Sequence, residues 1–107
     1  IGVVLGTGLD SLTTRVERIA ELPFGAIGLP ATTADGHQGK FVLAAHDGTP
    51  ILLQSGRLHC YENWHPAITA LPLRIQALAG IRTFFLTNAA GSLIEESTVG
   101  DVVVLTG

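Results

Sequence analysis

The sequence contains no methionine, a single cysteine and few charged residues. Charged residues make up 14% of the chain, and its net charge is −3. The six lysines and arginines are scattered along the sequence. This excludes a nucleic-acid binder driven by positive charge. Cys60 cannot form an internal disulfide, which favours a reducing compartment such as the cytoplasm. No uncharged stretch reaches the ~18 apolar residues of a membrane span, so we expect no membrane partner.

The apolar content of the 107 residues is high, at 47%, alongside 13 glycines. This composition excludes a disordered chain, because enough apolar surface exists to offset the entropy lost on folding. The first residue is Ile1 rather than methionine, so we expect a single segment, 1–107, of a longer protein. The low charge agrees with a surface covered by the rest of that protein or by other subunits.

Apolar runs between glycine and proline turns predict alternating strands and helices. Strands are expected at 1–5, 41–46, 50–54, 83–87 and from 102 onward, and helices at 9–19 and 66–79, with mostly loop at 21–39. Asp47-Gly48 predicts a hairpin turn. Pro72 predicts a break in the second helix, and Asp10 or Ser11 could cap the start of the first helix. We expect His65 and Trp64 to cap and pack against the second helix. The order predicts an α/β fold: a mixed, largely parallel sheet flanked by helices, with an inserted hairpin.

Gly6-Thr7-Gly8 lies between the first strand and the first helix. Backbone N–H groups and a hydroxyl at this position favour an anion. The motif lacks the lysine of a P-loop and the third glycine of a dinucleotide fingerprint. A tight structural turn remains an alternative.

Two further loops contain small residues beside polar ones. His37 lies between Gly36 and Gly39, where it either donates to a ligand or is an ordinary surface histidine. The strand at 83–87 is followed by Asn88-Ala89-Ala90-Gly91-Ser92, whose accessible N–H groups suit an oxyanion or form a simple turn.

Residues 54–62 are the most informative stretch, because an apolar strand is followed by Arg57, His59, Tyr61 and Glu62. If this stretch is extended, the first three side chains share one face. A guanidinium binds phosphate oxygens in bidentate fashion, and the imidazole and phenol add donors for an anion or a sugar. Glu62 would orient Arg57 or His59. A surface Arg57–Glu62 ion pair is the alternative.

Together these segments resemble the N-terminal part of the purine nucleoside phosphorylase family, in its trimeric branch. The matching motifs are Gly6-Thr7-Gly8-Leu9, Gly36-His37-Gln38-Gly39, residues 54–62 with the proline-containing helix, Thr87-Asn88-Ala89-Ala90-Gly91 and Val99-Gly100-Asp101. The glycine turn with Asp10 is closer to the related methylthioadenosine phosphorylases. Three positions differ from the pattern of the trimeric branch. Thr7 stands where the branch usually has serine, Asn63-Trp64-His65 replaces a common Gly-Tyr-Pro, and Ser92 replaces a glycine.

The resemblance implies a nucleoside phosphorylase-like fold and phosphorolysis of purine nucleosides to free base and ribose 1-phosphate. Phosphate would be bound by Thr7, His37, Arg57, His59 and the Ala89 N–H, ribose by Tyr61, with Glu62 and Asn88 supporting them. It implies a homotrimer whose co-substrate is inorganic phosphate, with no metal or other cofactor. The family's purine-contacting residues lie beyond residue 107, so the segment alone is expected to be inactive.

Two other functions remain open from the residues themselves. A non-catalytic module would bind an anion or a nucleotide with the same residues but would catalyse no reaction. A structural subdomain would use these polar residues only to stabilise its loops.

Overall fold

The computed structural model describes residues 1–31 and 39–106, and its strands form one five-stranded sheet. The strands are β1 (Gly2–Leu5), β2 (Glu17–Pro23), β3 (Lys40–His46), β4 (Thr49–Ser55) and β5 (Phe84–Leu86). Their order across the sheet is β2-β3-β4-β1-β5. β1 therefore lies between β4 and β5, and β4 is the central strand.

The sheet has a parallel half and an antiparallel half. β1 pairs in parallel with β4 and with β5, whereas β3 pairs antiparallel with both β2 and β4. The turn between β3 and β4 contains Asp47 at φ 47° and Gly48 at φ 74°, the left-handed conformations that a tight hairpin requires. The mixed sheet with an inserted hairpin is confirmed.

Two helices cross from β4 to β5: α1 (Pro66–Thr69) and α2 (Leu71–Leu78). The break at Ala70 confirms the predicted split, since Pro72 lies in the first turn of α2, where no N–H is needed. His65 caps α1 by accepting a hydrogen bond from the Ala67 N–H at 3.2 Å, as predicted. No described helix is long and apolar enough to cross a bilayer.

Core side chains lie on both faces of the sheet because successive strand residues point to opposite sides. One cluster contains Leu5, Val42 and Leu53, packed by Leu9 and Val16 from the segment after β1. The other contains Phe24, Leu29 and Phe41, packed by Leu71 and Ile75 of α2. Each face is therefore covered by a different part of the chain.

The predicted helix at 9–19 is wrong. Asp10–Thr14 form a 3₁₀ helix, and Glu17–Pro23 form β2 against the edge of β3. The hydroxyls of Thr13 and Thr14 bond to carbonyls three residues back, at 2.7 and 2.8 Å, which favours a short tight turn. The N-cap position is Leu9, so neither Asp10 nor Ser11 is the cap residue that the sequence predicts. β2 also replaces the start of the loop expected at 21–39.

The strand expected from Val102 onward is absent from the described residues, since 88–106 contain neither helix nor strand. Residues 102–105 are 75–90% exposed, and a strand forms only beside a hydrogen-bonding partner. The motif Val99-Gly100-Asp101 forms a turn, with Gly100 at φ 102°. Hydrogen bonds from the Thr98 backbone N–H and hydroxyl, both 2.9 Å, lower the pKa of Asp101.

Candidate functional site

The carboxyl ends of three neighbouring parallel strands lie at one edge of the sheet. Leu5 of β1 is level with Ser55 of β4, and Val4 is level with Leu86 of β5. Strands lie about 4.8 Å apart, so the three following loops begin within roughly 10 Å of one another. β3 begins at the same edge, because Lys40 pairs with Ser55. In parallel sheets this edge is where ligands bind.

The loop after β1 is bonded to the loop after β5. The Gly6 N–H donates to Thr87 Oγ1 at 2.9 Å, and that hydroxyl donates to the Val4 carbonyl at 2.8 Å. A Cβ at Gly6 would lie 2.7 Å from Asn88 Cα and from the Thr87 carbonyl oxygen. This close backbone approach requires glycine and brings the Thr7 and Asn88 segments together.

The loop after β4 begins at Gly56, whose φ of 89° turns the chain away from the sheet. Its carbonyl oxygen accepts a hydrogen bond from Gln54 Nε2 at 3.0 Å. Arg57 follows and is half-buried, while Leu58 is only 5% exposed and anchors the loop. Arg57 therefore extends from a backbone held on both sides.

The residues from Arg57 to Tyr61 are not extended throughout, so the condition for placing Arg57, His59 and Tyr61 on one face is not met. Cys60–Glu62 form a 3₁₀ helix, so two-residue alternation stops at His59. The rings of His59 and Tyr61 nevertheless stack, with centroids 4.7 Å apart and planes at 13°. Glu62 Oε2 accepts from the His59 backbone N–H at 2.7 Å, which links it to His59 through the main chain.

The structure brings most of the predicted residues to one edge. Thr7, Arg57, Asn88 and Ala89 follow the three parallel strands, and His59 to Glu62 continue the second of these loops. Thr7 and Ala89 are exposed, as a ligand-binding surface requires, and Tyr61 is 76% exposed. Asn88 Nδ2 bonds to the neighbouring Ala89 carbonyl at 3.2 Å. His37 lies outside the described residues.

Two residues at this edge hold the loops together and were not among the site residues predicted from the sequence. Asp10 Oδ1 accepts from the Ser55 hydroxyl at 2.6 Å and so ties the segment after β1 to the end of β4. Thr87 ties β5 to β1 with a hydroxyl that both accepts and donates. A polar residue at the end of an apolar strand is the signal for each, but the partner is distant in sequence.

The described part of this edge offers hydroxyl, backbone N–H, guanidinium and imidazole groups. These are donors, and such a set suits a tetrahedral anion such as phosphate. Among residues 1–31 and 39–106, no group of three or more His, Cys, Asp or Glu side chains lies close enough together to hold a metal ion.

A family model for the phosphorylase superfamily matches residues 1–107. The chain is 33% identical over 107 residues to purine nucleoside phosphorylase 1 of Bacillus subtilis, covering 99% of the chain and 40% of that protein. It is 31% identical over 106 residues to the enzyme of Rattus norvegicus, covering 98% and 37%. The chain thus spans about two fifths of the length of these relatives.

Solved structures agree with the sequence comparisons. Purine nucleoside phosphorylase of Schistosoma mansoni in complex with inosine superposes with a TM-score of 0.80 at 31% identity, over 94% of this chain and 35% of that one. A purine nucleoside phosphorylase in complex with ribose-1-phosphate gives a TM-score of 0.82 at 31% identity, over 94% and 37%. The described fold is therefore that of these structures over nearly all of its length.

Proposed function

The chain belongs to the phosphorylase superfamily, and from this we propose that it is the phosphate- and ribose-binding part of a purine nucleoside phosphorylase. The whole protein would convert a purine nucleoside and inorganic phosphate into a free purine base and ribose 1-phosphate. Purine-binding residues would come from outside residues 1–107, so that this segment alone is inactive.

The observation that carries the proposal is the meeting of three loops at one sheet edge. β4, β1 and β5 run in parallel and end side by side, so that the loops after them start from adjacent positions. A tetrahedral dianion has oxygens pointing in several directions, and separate loops can donate to different oxygens. A single loop at a strand end would not supply this geometry.

The proposed contacts differ in their support. We assign phosphate binding to the Thr7 hydroxyl, Arg57, His59, the Ala89 N–H and His37, the last on the family resemblance alone. Tyr61 would contact the ribose, since its ring is exposed beside His59. Glu62 and Asn88 would support the site through their bonds to the backbones of His59 and Ala89.

The chemistry follows from positioning and charge. A phosphate oxygen bonds to C1′ of the ribose as the bond from C1′ to the purine nitrogen breaks, and the electron pair leaves with the base, which takes up a proton. Phosphate is a weak nucleophile, so alignment beneath C1′ supplies much of the rate. Donors that hold the dianion also hold it against the positive charge developing on the sugar. Phosphate is the co-substrate, and the scheme needs no other cofactor.

The resemblance also supports a homotrimer in the cytoplasm. The low charge of the chain and the exposed aromatic segment around Tyr61 fit a surface covered by another subunit. Sedimentation of the full-length protein at micromolar concentration should give a trimer, and a monomer would contradict this part of the proposal.

The activity is tested with the full-length protein and three nucleosides: inosine, guanosine and methylthioadenosine. We expect release of hypoxanthine or guanine that depends on phosphate and forms an equal amount of ribose 1-phosphate. Exclusive cleavage of methylthioadenosine would move the assignment to the related methylthioadenosine phosphorylases. Phosphate binding without cleavage of any nucleoside would indicate a binding module, and absence of both would leave a structural subdomain.

A further inference from the structure

Two glutamines are buried between α2 and the sheet, in otherwise apolar surroundings. Gln76 of α2 is 0% exposed and Gln54 of β4 is 3% exposed. Gln54 is level with Phe41 on the neighbouring strand, and Gln76 lines a cleft with Phe41 and Ile75. Burial of two amides is costly unless both are hydrogen-bonded, so the pair needs an explanation.

The two amides form a directed chain that ends at the proposed phosphate site. Gln76 Nε2 donates to Gln54 Oε1 at 2.7 Å, and Gln54 Nε2 donates to the Gly56 carbonyl at 3.0 Å. A carbonyl oxygen can only accept, so the Gly56 end fixes which amide atom of Gln54 faces it. That orientation in turn leaves Gln54 Oε1 to accept from Gln76. We call Gln76, Gln54 and Gly56 the glutamine relay.

The bonded carbonyl belongs to the peptide unit that joins Gly56 to Arg57. Gly56 has a φ of 89°, a region where glycine has wide conformational freedom. A hydrogen bond to its oxygen restricts the rotation of that peptide plane, and the plane sets the direction in which the Arg57 side chain leaves the backbone. The two hydrogen bonds of the relay therefore link α2 to the backbone at Arg57.

The relay is not arranged for maximum stability. Gln76 Oε1 has no hydrogen-bond partner in the described part of the chain. A Cβ at Gly2 would lie 2.8 Å from this oxygen, so the backbone of β1 packs directly against it. A buried acceptor without a hydrogen-bond partner costs free energy, which points to a role for the relay other than stability.

We propose that Gln54 and Gln76 are positioning residues that hold the Arg57 guanidinium in place for phosphate. The inference rests on the proposed function for its consequence in catalysis, and on the observed hydrogen bonds for its geometry. Neither glutamine touches the substrate in this proposal.

The test uses Gln54→Leu, Gln76→Leu and the double variant in the full-length protein. The double variant replaces both amides with apolar groups of similar size. It removes the unsatisfied Gln76 acceptor but leaves the buried Gly56 carbonyl without its donor, so the urea midpoint of each variant is measured alongside its kinetics. We expect the double variant and Gln54→Leu to raise the phosphate KM about 10-fold, with the nucleoside KM changed less than twofold. Gln76→Leu should have a smaller effect, because the bond from Gln54 to Gly56 remains. Val42→Ala, a buried substitution on the opposite face of the sheet from Gln54, controls for general destabilisation.

Two outcomes overturn the inference. One is a phosphate KM of the double variant that stays within twofold of the parent value while Arg57→Ala raises the phosphate KM. This result would exclude a role of the relay in phosphate binding and would retain Arg57 in the phosphate site. The other is unchanged hydrogen exchange of residues 56–59 in the double variant, where we expect faster exchange. If Arg57→Ala leaves the phosphate KM unchanged, the proposed function fails at this residue, whatever the relay does.

Discussion

The parallel and antiparallel halves of the sheet place their loops differently. In the parallel half, β4, β1 and β5 end at the same edge, and three loops begin side by side. In the antiparallel half, neighbouring strands end at opposite edges, so the turn at Asp47-Gly48 lies away from that group. Strand direction therefore decides where polar residues gather, even though both halves contain charged side chains.

The charged residues of the two halves also have different partners. In the antiparallel half, Glu21 pairs with Arg18 at 2.6 Å and with Lys40 at 3.1 Å, so both cations share one carboxylate. Arg57 instead follows Gly56 at the carboxyl end of β4, where the loops of the parallel half begin. A guanidinium at this position is suited to an external anion.

Removal of Arg57 is the strongest way to test this contrast. Arg57→Ala in the full-length protein should lower kcat/KM for phosphate about 100-fold, because a charge-assisted bidentate contact is lost. Arg18→Ala in β2 removes the same side chain from the antiparallel half and should leave these kinetics unchanged. Steady-state assays with phosphate as the varied substrate give both values. Similar losses in the two variants would end the distinction between the halves.

Gly6→Ala tests whether the loops of the parallel half must lie close together. The added Cβ meets the Thr87 and Asn88 backbones, which cannot move without shifting β5. We expect a loss of about 1–3 kcal/mol in the free energy of unfolding. Gly25→Ala, which meets nothing within 4 Å, is the matched control and should change stability by less than about 0.5 kcal/mol. Equal urea midpoints for the two variants would contradict the close approach.

Thr7→Val removes one hydroxyl and keeps the shape of the side chain. The loss of one hydrogen bond to phosphate should raise the phosphate KM about 5-fold, equivalent to about 1 kcal/mol. Thr49→Val makes the same change at the start of β4, in the hairpin, and should have no kinetic effect. An unchanged phosphate KM in Thr7→Val would remove this hydroxyl from the site.

The sequence predicts those features that depend on local chemistry. Asp47-Gly48 indicates the hairpin, and Pro66 with Pro72 indicates a divided helix, because glycine and proline restrict the backbone wherever they occur. The strand-end motifs also indicate which residues come to the edge once the strands are known to be parallel. These features need no distant partner.

Features that depend on a distant partner were not predictable. The spacing of Leu9, Leu12, Val16 and Ile19 fits a helix, yet β2 forms because β3 offers an edge to pair with. Tyr61 lies in a short 3₁₀ helix that no periodicity indicates. The glutamine relay joins α2 to β4 and has no sequence signal beyond two polar residues within apolar runs.

The smallest predicted effect concerns the ion pairs of the antiparallel half. Glu21→Gln removes the carboxylate that Arg18 and Lys40 share, and partly exposed ion pairs contribute little because water screens them. We expect a loss of about 0.5–1 kcal/mol in unfolding free energy at low salt, shrinking in 1 M salt. Urea unfolding at both salt concentrations measures this. The phosphate KM should stay at the parent value, because neither Arg18 nor Lys40 belongs to the proposed phosphate site. A raised phosphate KM would mean that the antiparallel half contributes to the site through Lys40, which is level with the end of β4.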